Sequence, residues 1–155
     1  MKKYLLYVLI AAILLLQLSC SSPLDNKTPH VWQRTFGGNY GDIGDSIQQT
    51  SDDGYIIAGF TDSWGNGNGD VYLIKTDDEG NEQWFKTFGG EGTDWANSVR
   101  QTNDGGYIIA GASESYGAGD FDIYLIKTDD EGNELWSRTF GGKSVDDARA
   151  VRQTD

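Results

Sequence analysis

The chain has 155 residues, 37% of them hydrophobic, and carries 24 acidic against 12 basic side chains for a formal charge of −12. That balance argues against nucleic acid as a partner and against electrostatic docking on anionic lipid, and it permits divalent cations or cationic partners. A single cysteine and a single histidine exclude an internal disulfide and a cysteine-based zinc site.

The first predicted element is not part of a fold. Lys2 and Lys3 precede Tyr4 to Leu16, an unbroken apolar run of 13 residues. As a helix such a run rises about 20 Å, short of a hydrocarbon core of roughly 30 Å. It reads as an export signal over 1–19 in preference to a spanning anchor. Cys20 stands where the apolar segment ends, a position that resembles the lipobox of bacterial lipoproteins, whose cysteine is lipidated. Ser19 fits that pattern, while Gln17 stands where a leucine is usual, with Leu16 beside it. Plain secretion and an uncleaved anchor are the alternatives. Residues 20–30, polar and holding Pro23 and Pro29, read as a tether.

From Trp32 onward the sequence repeats. Trp32, Trp84 and Trp136 lie 52 residues apart and head the phrases WQRTFGG, WFKTFGG and WSRTFGG. Units 32–83 and 84–135 align without a gap, with 31 of 52 positions identical, and a third copy follows from Trp136. Each unit predicts four short strands separated by glycine-rich turns. The first is Asp45 to Thr50 and its copy Asn97 to Thr102. The second is Tyr55 to Thr61 and Tyr107 to Ser113. The third is Asp70 to Asp77 and Asp122 to Asp129. The fourth is Glu82 to Phe88 and Glu134 to Phe140. Asp53-Gly54 and Gly105-Gly106 supply the turn between strands one and two, and Gly80-Asn81 and Gly132-Asn133 that between three and four. Pairing is therefore local and antiparallel.

The second and third strands are apolar on both faces, so the sheets must stack. A four-stranded sheet buried on both faces and repeated at about 50 residues predicts an all-β fold, the β-propeller. Trp32, Trp84 and Trp136 with Phe36, Phe88 and Phe140 are expected in the wedge between blades, and Gly59 and Gly111 where the next sheet approaches closely. Strict alternation puts Arg34, Lys86 and Arg138 on the tryptophan face, either snorkelling at the rim or turned by a bulge. The expected layout over 31–155 is an outer strand at 31–36, blades at 44–88 and 96–140, and the start of a further blade at 148–155. On blade number alone this is an incomplete ring, whose remaining blades would be partners of those seen.

The phrases W-x-x-T-F-G-G, Q-T-x-D-G-G-Y-I-I-A-G and D-x-Y-L-I-K-T-D-x-x-G-N-x-x-W resemble those of a broad family of exported bacterial and archaeal repeat proteins, similar to quinoprotein-like and WD-type β-propellers. The resemblance covers residues 32–155. It implies a propeller on the cell envelope and carries no catalytic residue across.

Chemistry is sparse. No Ser/His/Asp set can be assembled within the repeats, because His30 precedes them. No catalytic residue and no cofactor is identified. Asn66, Asn68 and Asp70 alternate with glycine as calcium loops can, and are the weak metal candidates. The internal copies add one inference. The turns between strands one and two and between three and four barely change, whereas 61–69 and 39–41 differ from 113–121 and 91–93. Both variable connections leave a four-stranded meander at the same end, so Tyr40, Trp64, Trp95 and Tyr116 are the candidate ligand face, with packing of their own loops as the plain alternative. The expected function is a non-enzymatic lipoprotein scaffold that binds protein or glycan. An exported propeller enzyme with its catalytic residues in other blades, and a purely structural envelope component, are the alternatives.

Overall fold

The computed structural model describes residues 31–154, so the expected signal, Cys20 and the tether lie outside the described residues. Eight strands and no helix follow: β1 Asp42–Gln49, β2 Tyr55–Thr61, β3 Asp70–Thr76, β4 Glu82–Phe88, β5 Asp94–Gln101, β6 Tyr107–Ser113, β7 Asp122–Thr128 and β8 Glu134–Phe140. They form two four-stranded antiparallel sheets, ordered β1-β2-β3-β4 and β5-β6-β7-β8. The registers correspond pair by pair, Ala58↔Leu73 in the first sheet matching Ala110↔Leu125 in the second. Among the described residues no helix is long and apolar enough to cross a membrane.

β2, β4, β6 and β8 have the bounds expected from sequence, and β3 and β7 stop one residue earlier. β1 and β5 begin three residues earlier than expected. The reason is a bulge. The register shifts between Gly44 and Ser46, and between Ala96 and Ser98, so Asp45 and Asn97 have no cross-strand partner. The alternation that marks a strand is broken there, and only the part beyond the bulge reads as regular.

The bulge also explains two glycines. A Cβ on Gly59 would collide with the carbonyl oxygen of Ile43, and one on Gly111 with that of Trp95. The close approach comes from the bulged neighbouring strand of the same sheet. The next sheet, where sequence reasoning put it, is not what these glycines accommodate. The turns need glycine for a different reason. Asp53, Gly80, Gly105 and Gly132 take φ of 66°, 75°, 86° and 76°. Gly54 and Gly106 are not in that left-handed region; a side chain there would meet the carbonyls of Thr76 and Thr128.

The core lies between the two sheets. Ile56, Ala58, Val71, Leu73 and Phe88 of the first meet Ala96, Val99, Tyr107, Ile109, Tyr124 and Ile126 of the second, and Trp84 packs against them. Each large apolar side chain fully buried here contributes about 1.5–3 kcal/mol before the entropy of ordering it. β3 and β6 are buried along their whole length. β7 alternates buried and half-buried, because one of its faces has no facing sheet among the described residues.

Trp84 sits at the joint between the sheets and Trp32 against the first sheet, while Trp136 is 39% exposed. Trp84 meets Tyr107 edge-on with centroids 5.9 Å apart, and Trp32 meets Tyr55 in the same way at 5.6 Å. The basic residue two positions on lies on the same face and reaches over the neighbouring turn. Lys86 donates to Asn133 Oδ1 at 3.1 Å, and Arg34 to Asn81 Oδ1 at 3.3 Å. Lys86 is not turned aside by a bulge: the register shift in β3–β4 skips Gln83, and Lys86 stands in register opposite Leu73. Residues 31–41 contain no assigned strand until β1 opens, and neither do 146–154. The latter still repeat the stacking contacts of β5 on β1. Val99 N–H donates to Ser46 Oγ at 3.2 Å, and Val151 N–H to Ser98 Oγ at 3.3 Å.

The turn end is held by a buried cation. Lys75 Nζ lies 2.8 Å from Asp52 Oδ2 and also donates to the Thr76 carbonyl. Partial burial opposes the Asp52 charge, but the Lys75 ammonium and the Thr50 hydroxyl outweigh it and hold the carboxyl down at about 2.

Candidate functional site

The pairings Asp42↔Thr61, Thr61↔Asp70 and Val71↔Phe88 bring the start of β1, the end of β2, the start of β3 and the end of β4 to one end of the sheet. Both connections that vary between the copies leave there. The turns that barely change lie at the other end. The variable loops are tied to each other across the joint: Asn68 N–H donates to the Gly92 carbonyl at 3.3 Å and Asp94 N–H to that of Gly69 at 2.9 Å.

The four aromatic candidates share this end, but no ring contact joins one to another. Trp64, 44% exposed, lies 5.6 Å from Phe85, which in turn meets Tyr72. Trp95 packs on Phe121 at 4.6 Å. Tyr116, 45% exposed, packs on Tyr124 and donates its hydroxyl to the Gly89 carbonyl at 2.8 Å. These three therefore carry packing as well as exposed surface. Tyr40 is different: it is 75% exposed, and its backbone N–H is anchored on Ser63 Oγ.

Trp64 and Tyr116 are equivalent positions of the repeat, yet their surroundings diverge. Phe85 fills the space between Trp64 and Tyr72. Its counterpart is Ser137, and a groove of about 380 Å³ opens there, lined by Tyr116, Tyr124, Glu134, Ser137, Arg138 and Thr139. Sequence reasoning missed it. The signal is the Phe85/Ser137 difference, which lies inside a strand and not in a variable loop.

The loop end is also built on aspartates. Asp42 accepts Gly38 N–H and Ser63 Oγ at 2.8 Å each, and the Thr61 hydroxyl through its other oxygen. Burial opposes its charge, but those donors hold its carboxyl below the usual range. Its copy Asp94 accepts Gly90 N–H at 3.0 Å and Ser115 Oγ at 2.5 Å, all on Oδ2. Asp70 and Asp122 fasten the loops ahead of them, accepting the N–H of Asn66 and of Ala118 at 2.5 Å. Asn66 and Asn68, the other metal candidates, are exposed and enter the loop's hydrogen bonding through backbone N–H groups. Among the described residues no three His, Cys, Asp or Glu side chains gather at one point.

The site thus offers exposed aromatic edges on a scaffold of short, mutually bonded loops. No protein-family model matches the chain, and no curated protein matches it.

Proposed function

We propose that this chain is a lipid-anchored protein of the cell envelope whose stacked sheets are blades of a β-propeller and whose loop end binds a protein or glycan partner. The observation that carries the reading is the segregation of variation. Two sheets of matching register keep their turns at one end and differ in loop sequence at the other. A rigid scaffold with divergent loops at one end is the arrangement recognition proteins use. The likeness to exported repeat proteins and the Cys20 segment support the envelope location, and the repeat supports the ring.

Two substitutions test it. Tyr40→Ala, in an exposed side chain, is expected to change stability by less than about 0.5 kcal/mol and to weaken partner capture. Trp64→Ala loses the Phe85 contact and is expected to cost about 1 kcal/mol besides any binding. Capture from solubilised envelopes that survives Tyr40→Ala and Trp64→Ala alike contradicts the loop-end reading. Cys20→Ser is expected to move the protein from the detergent phase to the aqueous phase on phase separation, and unchanged partitioning contradicts the lipid anchor.

A further inference from the structure

The loop end holds more buried negative charge than its hydrogen bonds account for. Asp70 is 2% exposed and Asp94 0%. They belong to successive sheets and close on the same residue: a Cβ added to Gly89 would collide with Asp70 Oδ1 and crowd Asp94 Oδ2. The next joint repeats this. A Cβ on Gly141 would collide with Asp122 Oδ1 and crowd Asp146 Oδ2. In each joint, then, a carboxylate from the start of a third strand faces one from the start of the following inner segment.

Their oxygens are not all engaged. Asp70 Oδ1, Asp94 Oδ1 and Asp122 Oδ1 are buried without a hydrogen-bond partner. The contrast with Asp42 is informative, because both of its oxygens are bonded. Thr61 supplies one of those bonds. At the second sheet Thr61 is replaced by Ser113, whose hydroxyl accepts from Tyr116 N–H, and Asp94 Oδ1 is left alone. Among the described residues no ion pair reaches these four carboxylates; Arg149 pairs with Asp147, the neighbour of Asp146. The ion pairs of Lys75 and Lys127 lie with Asp52 and Asp104 at the turn end. Asp70 and Asp94, held together out of water, are strongly disfavoured as a charged pair unless a positive charge joins them, and Asp122 meets the half-buried Asp146 in the same way. Burial and the Asp94 charge push the Asp70 carboxyl up, against the single bond from Asn66.

We propose that the Asp70–Asp94 and Asp122–Asp146 pairs are two equivalent binding sites for a hard divalent cation, Ca²⁺, that pins each sheet to the next at the loop end. The donor set is all oxygen. Two carboxylates supply the charge, and water and nearby backbone carbonyls would complete the six to eight oxygens that Ca²⁺ takes. The sites do not depend on the partner-binding reading. They predict that the loops carrying the exposed aromatics are ordered by the ion.

The test is Ca²⁺ alone, titrated calorimetrically into the metal-stripped full chain in detergent, with Mg²⁺ as comparison. Two Ca²⁺ per chain are expected. Asp70→Asn and Asp122→Asn are each expected to reduce that to one, and Asp45→Asn to leave it at two. At Ca²⁺ a hundredfold above Kd the melting transition is expected to rise by roughly 10–20 °C over that in chelator with both sites filled. No heat and the same transition in Ca²⁺ and chelator overturn the proposal. So does binding that survives both asparagine substitutions. An asparagine variant that melts higher than the parent while the parent ignores Ca²⁺ assigns a shared proton to the pair instead.

Discussion

Gly111→Ala is expected to be the most damaging small substitution in the chain. The added methyl would meet the Trp95 carbonyl oxygen and the Ala96 backbone, which are part of the β5 bulge and cannot rotate away as a side chain can. β6 is buried along its whole length, so the strand has no solvent side into which to shift. Overpacking in a well-packed interior costs about 1–3 kcal/mol, and a clash with backbone belongs at or above the top of that range. Against the 5–15 kcal/mol typical of a domain, that is a large share. Gly105→Ala is the control. Its position takes φ of 86° but a Cβ there meets only Asp130 at 3.8 Å, so strain alone operates and about 1 kcal/mol is expected. Urea titration of both variants checks the order, and equal loss in the two contradicts the account of the bulge.

Trp84→Ala is expected to cost about 3–5 kcal/mol, as truncation of a large aromatic in a core does. Trp84 packs against the inter-sheet core, touches the Tyr107 ring, and closes over Gly132. Trp136 is the same residue of the next unit and stands opposite Lys127 as Trp84 stands opposite Lys75. It is 39% exposed, because no sheet covers it among the described residues. Trp136→Ala is therefore expected to cost less than about 1.5 kcal/mol. The contrast separates burial from sequence, since the heptapeptide around each tryptophan is nearly the same. Similar losses at the two positions would mean that the tryptophans act within their own sheet and not across the joint.

Much of this is legible in the sequence, for a physical reason. Strand bounds such as Tyr55–Thr61 follow from a period-two pattern closed by glycine turns, and both are local properties. The stacking was legible because Ile56 and Ile57 cannot both be buried by one neighbour. What local pattern could not show was the bulge at Asp45, where two residues face one across the ladder. The role of Gly59 was misread for that reason: its close neighbour is 16 residues away along the chain, in an irregular place. The reach of Lys86 to Asn133 was equally hidden, because alternation says which face a side chain takes and not what stands opposite it. At the loop end, Tyr40 and Trp64 were found from variation between copies. The buried Asp70–Asp94 pair was not, since aspartate beside glycine reads as a turn until its burial is known.

The claim that matters most is that the loop end recognises a partner and the turn end does not. The direct test places a photo-crosslinking residue at Tyr40 on the loop end or at Glu79 on the turn end, and irradiates cells carrying the full chain. Both positions are exposed, and neither lies in the core. Adducts of discrete mass from position 40 and none from position 79 are the predicted result. Adducts from position 79 alone, or the same adducts from both, would contradict it.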